Sequence, residues 1–305
     1  MKNTVIKALI DKKDIHPRLV FISVDQETGF DEELKQLLGD RFIMESISEQ
    51  YVIGFASGLA ADGFLPIIFN HAAFTIRRSY EQILLDCCLQ ERKVILLGMG
   101  GGFATSHLGP SHTTFDDIAL TRVMPNMEIF IPCGSDDIIN NLNYLITTKN
   151  SVYIRLSKYG KYNLNGYTEF KISKILYKYF GTSKNVICVI STGPISYNVY
   201  EAVENLEINL LHIHIPFIKN IDNDTLNHLC KNCVKIFIFE EHSSVGGLYS
   251  AISEILLISS FLNGIKVYNF GIENNFVHKY GTQEEIWTNY KLDKYSIKEI
   301  LTINK

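Results

Sequence analysis

The sequence predicts an α/β protein of two doubly wound, mainly parallel-sheet domains. Three observations predict it. Short β-branched runs alternate with helical patterns along almost the whole chain, the signature of strand–helix–strand units. The length of 305 residues is that of about two ordinary domains at roughly 150 residues each. Between them, residues 157–184 turn rich in Lys, Tyr, Asn and Gly, the texture of a domain boundary. The expected division is 1–163 and 164–305.

In the first domain the buried strands are expected at Leu19–Val24, Leu65–Phe69, Val94–Leu97, Glu128–Ile131 and Val152–Arg155. Residues 79–92 place Tyr80, Ile83, Leu84, Cys87 and Cys88 at helical spacing, one apolar stripe. Asp136–Thr148 repeats the pattern with Ser135 as a cap. The second domain restarts the alternation with strands at Val186–Ile190, Leu210–Ile215, Lys235–Phe239 and Lys266–Phe270. Helices near 197–206, 224–230 and 246–260 separate them.

Composition excludes several classes. Lys plus Arg number 29 and Asp plus Glu 33, a net charge of −4, which is no nucleic-acid footprint. Six cysteines without a repeating spacing point to reduced thiols, not a disulfide framework. No apolar run reaches the ~18 residues of a membrane span. Lys7, Lys12 and Lys13 interrupt the amino-terminal apolar stretch, unlike a signal peptide. A cytoplasmic protein is expected.

Individual motifs are weak. Gly98-Met99-Gly100-Gly101-Gly102-Phe103 follows a strand but puts Phe where a dinucleotide loop needs its third glycine. It reads as a loop whose backbone passes close to something. Cys230 and Cys233 form a single C-x-x-C, better read as packing than as a metal site. Ser46-Ile47-Ser48-Glu49 ahead of an apolar helix fits a capping box. His112, and His107 before it, read in isolation as loop histidines.

The order of the pieces carries more. RFIMESISEQYVIGFASGLAADGFLPIIF, FTIRRSYEQI and GGGFATSHLGPSHTTFDDIALTRVMPNMEIFIP follow one another from residue 41. VICVISTG, IFIFEEHSSVGGLYSAISEIL and FGIENNF follow in the second half. The chain resembles the transketolase family, which includes 1-deoxyxylulose-5-phosphate synthase, over roughly residues 15–300. The resemblance covers the pyrimidine-binding domain, with its thiamine-diphosphate-binding fold, and the transketolase carboxy-terminal domain.

That resemblance implies thiamine diphosphate as cofactor and assigns roles. Glu49 would meet the aminopyrimidine ring and promote its imino tautomer, and Phe74 would stack on the ring. Arg78, or its neighbour Arg77, would face the cofactor. His112 would face the reacting sugar carbons as a proton shuttle, with His71 also at the substrate. Arg155 would bind an anionic substrate group, or form a surface ion pair. Leu108, Gly100 and Gly101 stand where relatives often carry Asp, His or Arg, implying a roomier, less polar acceptor site for a larger or modified sugar.

No G-D-G occurs in the sequence, so the resemblance implies that a diphosphate-domain partner subunit holds the diphosphate and Mg²⁺. The expected assembly is a heterotetramer, and the expected activity is transfer of a two-carbon ketol unit between sugars. Two alternatives stay open: the beta chain of a 2-oxo acid dehydrogenase, and a non-catalytic scaffolding paralogue.

Overall fold

The computed structural model describes residues 1–12, 17–158, 162–170, 175–258 and 265–304. Its first half is built on one parallel sheet. β1 (Leu19–Val24), β2 (Phe42–Glu45), β3 (Leu65–His71), β4 (Ile95–Met99), β5 (Met127–Phe130) and β6 (Ser151–Leu156) lie in the order β2-β1-β3-β4-β6-β5. Every neighbouring pair is parallel. β1, β3, β5 and β6 are buried along their full length, which is why they read as continuous apolar runs.

Helices cover both faces. α1 (Lys2–Asp11), α2 (Asp31–Leu38) and α7 (Ser135–Thr147) bury Val5, Leu34 and Leu142 in one core with Phe21, Phe69 and Ile154 of the strands. α3 (Glu49–Ala61) and α4 (Ala72–Arg78) bury Val52, Ile53 and Ile76 in the other, against Ile22, Ile68 and Leu96. The short α5 (Tyr80–Gln82) runs into a π-helical turn over Ile83–Leu89, and α6 (Asp117–Arg122) follows the glycine-rich loop.

The expected stripe over 79–92 is thus distorted. The carbonyl of Asp86 accepts a hydrogen bond from Ser57 Oγ on α3 at 2.7 Å, and an inserted side-chain hydroxyl is one recognised way to open a helical ladder. Cys87 and Cys88 still reach the core together. Ser135 is the first helical residue of α7, not its cap.

The second sheet is mixed. β7 (Thr168–Phe170), β8 (Ile175–Phe180), β9 (Val186–Ser191), β10 (Leu210–His214), β11 (Cys233–Ser243) and β12 (Lys266–Ile272) take the order β12-β11-β9-β10-β8-β7. The pairs among β12, β11, β9 and β10 are parallel, while β8 and β7 add antiparallel edges. Around it lie α8 (Ile195–Val203), α9 (Asn223–Cys230), α10 (Leu248–Ile258), α11 (Gln283–Asn289) and α12 (Lys294–Ile303). The expected helix over 246–260 ends among residues outside the described set. The 163/164 division falls between β6 and β7, where residues 159–161 also lie outside the described residues.

All six cysteines are free and buried. Cys188, Cys230 and Cys233 meet with their sulfurs within 4.8 Å of one another, inside the apolar core beside Ile236 and Leu226. Among the described residues, no helix is long and apolar enough to cross a membrane.

Candidate active site

The site forms at the carboxyl ends of β2, β3 and β4, the edge of a parallel sheet where ligands bind. Glu49 opens α3 just after β2 and is 7% exposed. The capping box is absent: Ser48, not Ser46, is the N-cap, it makes no side-chain cap bond, and its hydroxyl donates to the Ser46 carbonyl. Glu49 instead accepts from Arg78 Nη1 at 2.8 Å. It stands in a cavity of about 460 Å³ lined also by Ile47, Gln50 and Tyr51.

Two adjacent arginines on α4 part company. Arg77 grips Asp116 through Nε at 2.9 Å and Nη2 at 2.7 Å, and donates to the Thr113 carbonyl at 3.0 Å. Arg78 takes Glu49, and its Cζ lies 4.1 Å over the Phe74 ring. Neighbouring positions on a helix point about 100° apart, so only one can face the cavity.

Phe74 belongs to a cluster of three rings. Its centroid lies 5.0 Å from His71 and 4.9 Å, edge-on, from His112, and the two imidazoles are 5.2 Å apart. His71 ends β3, and His112 arrives on the loop after β4. That loop is pinned by the pair of bonds joining Gly102 and Thr114. Burial, with His112 and Arg77 adding like charge, pushes His71 down to about 4. Burial and Arg78 lower His112 as well, so both imidazoles are neutral at pH 7. His107 stays exposed at the rim of the loop.

The glycines of the loop are filled space. A Cβ on Gly100 would sit 2.6 Å from His71 Nε2, and one on Gly101 would sit 2.4 Å from Arg155 Cγ. The reading of a close backbone approach holds, but the room expected at these two positions is absent: His71 and Arg155 occupy it. Leu108, 49% exposed, remains an open apolar position.

Arg155 is not among the residues gathered here for a substrate. It is 4% exposed; its Nε binds Asp117 at 2.7 Å, and its Nη2 binds Asp117 and the carbonyls of Thr114 and Glu241. Neither a surface pair nor an open anion site, it is a buried ion pair joining β6 to the second domain. A strand-end arginine gave no sign of this in sequence, because the partner Asp117 is 38 residues away.

The E-E-H run of β11 completes the junction. Glu241 Oε1 accepts from the Phe103 amide, Gln283 Nε2 and Trp287 Nε1, at 2.7–2.9 Å. Glu240 caps α10 through the amides of Leu248 and Tyr249. His242 Nε2 meets the Ala119 amide at 3.3 Å. Thr105, which bonds both site histidines, was not picked out from the sequence; a lone hydroxyl in a glycine-rich loop carries no spacing signal.

A site of this shape at the edge of a parallel sheet, with a second α/β domain behind it, defines a two-domain α/β protein with a candidate active site at its strand ends. Residues 3–160 match the family "Transketolase, pyrimidine binding domain", and residues 181–295 match "Transketolase, C-terminal domain". The chain belongs to the transketolase family, a family of thiamine-diphosphate enzymes. It is 30% identical over 263 residues to one of the subunits of the apulose-4-phosphate transketolase of Phocaeicola vulgatus, covering 84% of this chain and 81% of that one. It is 27% identical to the 1-deoxy-D-xylulose-5-phosphate synthase of Oleidesulfovibrio alaskensis, over 95% of this chain but only 46% of the relative. Among solved structures it superposes with a TM-score of 0.81 and 24% identity on a split gene transketolase, an inactive beta4 tetramer, covering 97% of this chain and 95% of that one.

Proposed function

We propose that this chain is the pyrimidine-domain subunit of a split, thiamine-diphosphate-dependent transketolase that transfers a two-carbon ketol unit between sugars. A partner subunit supplies the domain that holds the diphosphate and Mg²⁺, in a heterotetramer of the two chains. The observation that carries the reading is Glu49: a nearly buried carboxylate at a helix start, freed from capping, set in a cavity and joined through Arg78 to the ring cluster of Phe74, His71 and His112. The apulose-4-phosphate transketolase relative is itself one chain of a divided enzyme and is matched over most of both chains, which supports the split.

The residues fit the cofactor's pyrimidine half. Thiamine diphosphate, when bound, supplies a carbon nucleophile and electron sink. Glu49 would hold a proton on a ring nitrogen, and Phe74 would orient the ring by its face. Arg78 now covers one face of Phe74, and as a half-exposed side chain it can turn aside for the ring. His112, neutral and half-buried, would pass a proton to and from the substrate's oxygen. Arg155 has no place in this scheme. The acceptor side is apolar at Leu108 and favours a sugar less polar there than a simple pentose phosphate.

Mixing this chain with a diphosphate-domain partner is expected to give thiamine-dependent ketol transfer that Glu49→Ala abolishes. Turnover untouched by Glu49→Ala would remove the assigned role. Decarboxylation of a 2-oxo acid onto a lipoyl carrier, without ketol transfer, would favour the dehydrogenase alternative.

A further inference from the structure

His71 carries an asymmetry that the ring cluster alone does not explain. Its Nε2 lies 2.9 Å from Thr105 Oγ1, while its Nδ1 is buried with no hydrogen-bond partner among the described residues. The Thr105 hydroxyl has one proton, and it donates that proton to the carbonyl of His112 at 2.9 Å. A hydroxyl that has given its proton can only accept from a second neighbour. His71 Nε2 must therefore carry the hydrogen, and Nδ1 is left as a bare acceptor.

The arrangement tolerates no extra atom. A Cβ on Gly100 would stand 2.6 Å from His71 Nε2 and 2.8 Å from Thr105 Oγ1, and Gly100 sits at φ +75°, where L side chains are strained. The glycine, the threonine and the histidine form one unit. An orphaned buried acceptor is destabilising unless something donates to it, and the rings around it, Phe74 and His112, do not.

We propose that Thr105 is a positioning residue that fixes His71 as its Nε2–H tautomer, so that Nδ1 stands as an acceptor for a hydroxyl of the donor substrate. This rests on the ketol-transfer reading and sharpens it. A hydroxyketone can donate to Nδ1, whereas a 2-oxo acid without a hydroxyl offers only acceptor oxygens and is repelled by the lone pair. Access comes as the half-buried His112 ring turns aside; Thr105 holds only its backbone, and the ring's own bond is to the exposed Ser111 hydroxyl at 2.9 Å, which can turn with it.

The tautomer is read directly in the full chain by long-range ¹H–¹⁵N spectra of its histidines, with His71→Gln to assign the signals. The expected pattern is a protonated Nε2 and an unprotonated Nδ1 in the native chain and in Thr105→Ser, and loss of that pattern in Thr105→Val. The complex with its partner is then assayed with hydroxypyruvate and pyruvate, which differ by one hydroxyl. Thr105→Val is expected to reduce the preference for hydroxypyruvate about tenfold, the equivalent of about 1.4 kcal/mol, while Thr105→Ser keeps it. A merely structural threonine would lower both substrates alike. A proton on Nδ1 in the native chain, or a preference unchanged in Thr105→Val, overturns the proposal. Absence of thiamine-dependent turnover in any mixture would sink the functional reading instead, and the spectra would still decide the tautomer.

Discussion

Arg78 holds Glu49 through a single 2.8 Å bond from the open side of the site, with 48% of the arginine side chain exposed. Arg77, one residue earlier, is bound at two points to Asp116. The two arginines therefore differ in what they do for the molecule. With the arginine half-exposed, water can take its place on Glu49 and the pair contributes about 0–1 kcal/mol, so Arg78→Ala should leave the urea midpoint nearly unchanged while weakening thiamine diphosphate binding in the complex. Arg77→Ala should do the reverse, loosening the His112 loop and lowering the midpoint. The reverse ranking in paired urea and cofactor titrations would mean that the ion pair, not the site, is what Arg78 serves.

Arg155 and Asp117 should matter to folding before catalysis. Both are almost wholly buried, and burial of the pair costs desolvation that only its own attraction offsets. Removing one partner leaves an uncompensated charge, at a cost of about 3–5 kcal/mol. Arg155→Met is expected to lower the urea midpoint sharply, and adding Asp117→Leu should restore part of the loss. A normally stable Arg155→Met chain with a raised KM would return the residue to substrate binding.

A chain of hydrogen bonds crosses the domain junction from Tyr167 through His212, Ser191, Ser196 and His214 to Asp137. One polarity satisfies all five bonds: each hydrogen points toward Asp137, which also accepts from the Cys133 amide at 2.7 Å. Asp137→Ala removes the terminal acceptor of a buried network, and about 1–3 kcal/mol of stability should go with it. Tyr167→Phe, which leaves His212 Nδ1 without its donor, should cost a similar amount. Because both act on one network, the double variant should lose less than the sum; strict additivity in a urea double-mutant cycle would show that the links act independently.

Acid should unfold the protein through its histidines. His71 and His242 are pushed down to about 4 by burial, below the ordinary value of 6.5. The unfolded chain therefore binds protons that the folded chain refuses between pH 6.5 and 4, and stability falls as pH falls through that window. Glu240, pushed up to about 7 by burial, takes a proton on folding and works the other way between pH 7 and 4.5. His212 is lowered and Glu241 raised, again by burial, and these two oppose each other. The lowered histidines, His112 among them, outnumber the two raised carboxyls, so stability should fall as the pH drops below 6.5. His71→Phe should flatten that slope in urea titrations at successive pH values; a slope unaffected by the substitution would place the proton uptake elsewhere.

Most strands that were legible in the sequence are buried on both faces, β12, half-buried and still read from its apolar run, being the exception. β1, β3, β5, β6, β9 and β10 show as β-branched or apolar runs because no position on them meets water. β2 is half-exposed, and β8 carries Tyr177, Lys178 and Tyr179 at an antiparallel edge, so neither shows the same signal. Helices α1, α2, α6, α11 and α12 also escaped the pattern; each buries only two or three side chains. Within the site, Glu49, Phe74, Arg78, His71 and His112 were nameable from ordered blocks of sequence, and the structure gathers them around one cavity and one ring cluster.

The sequence by itself determined the two-domain α/β class, the family and the residue types at the site, because these depend on local periodicity and on the order of motifs along the chain. Only the tertiary structure decided between partners. It turned Arg78 toward Glu49 and Arg77 away, buried Arg155 against Asp117, filled the space beside Gly100 with His71, and gave Thr105 two histidines to serve. Each of those choices pairs a donor with an acceptor brought together by strand order and loop closure. A hydrogen bond is settled by a fraction of an ångström, and no spacing along the chain encodes that.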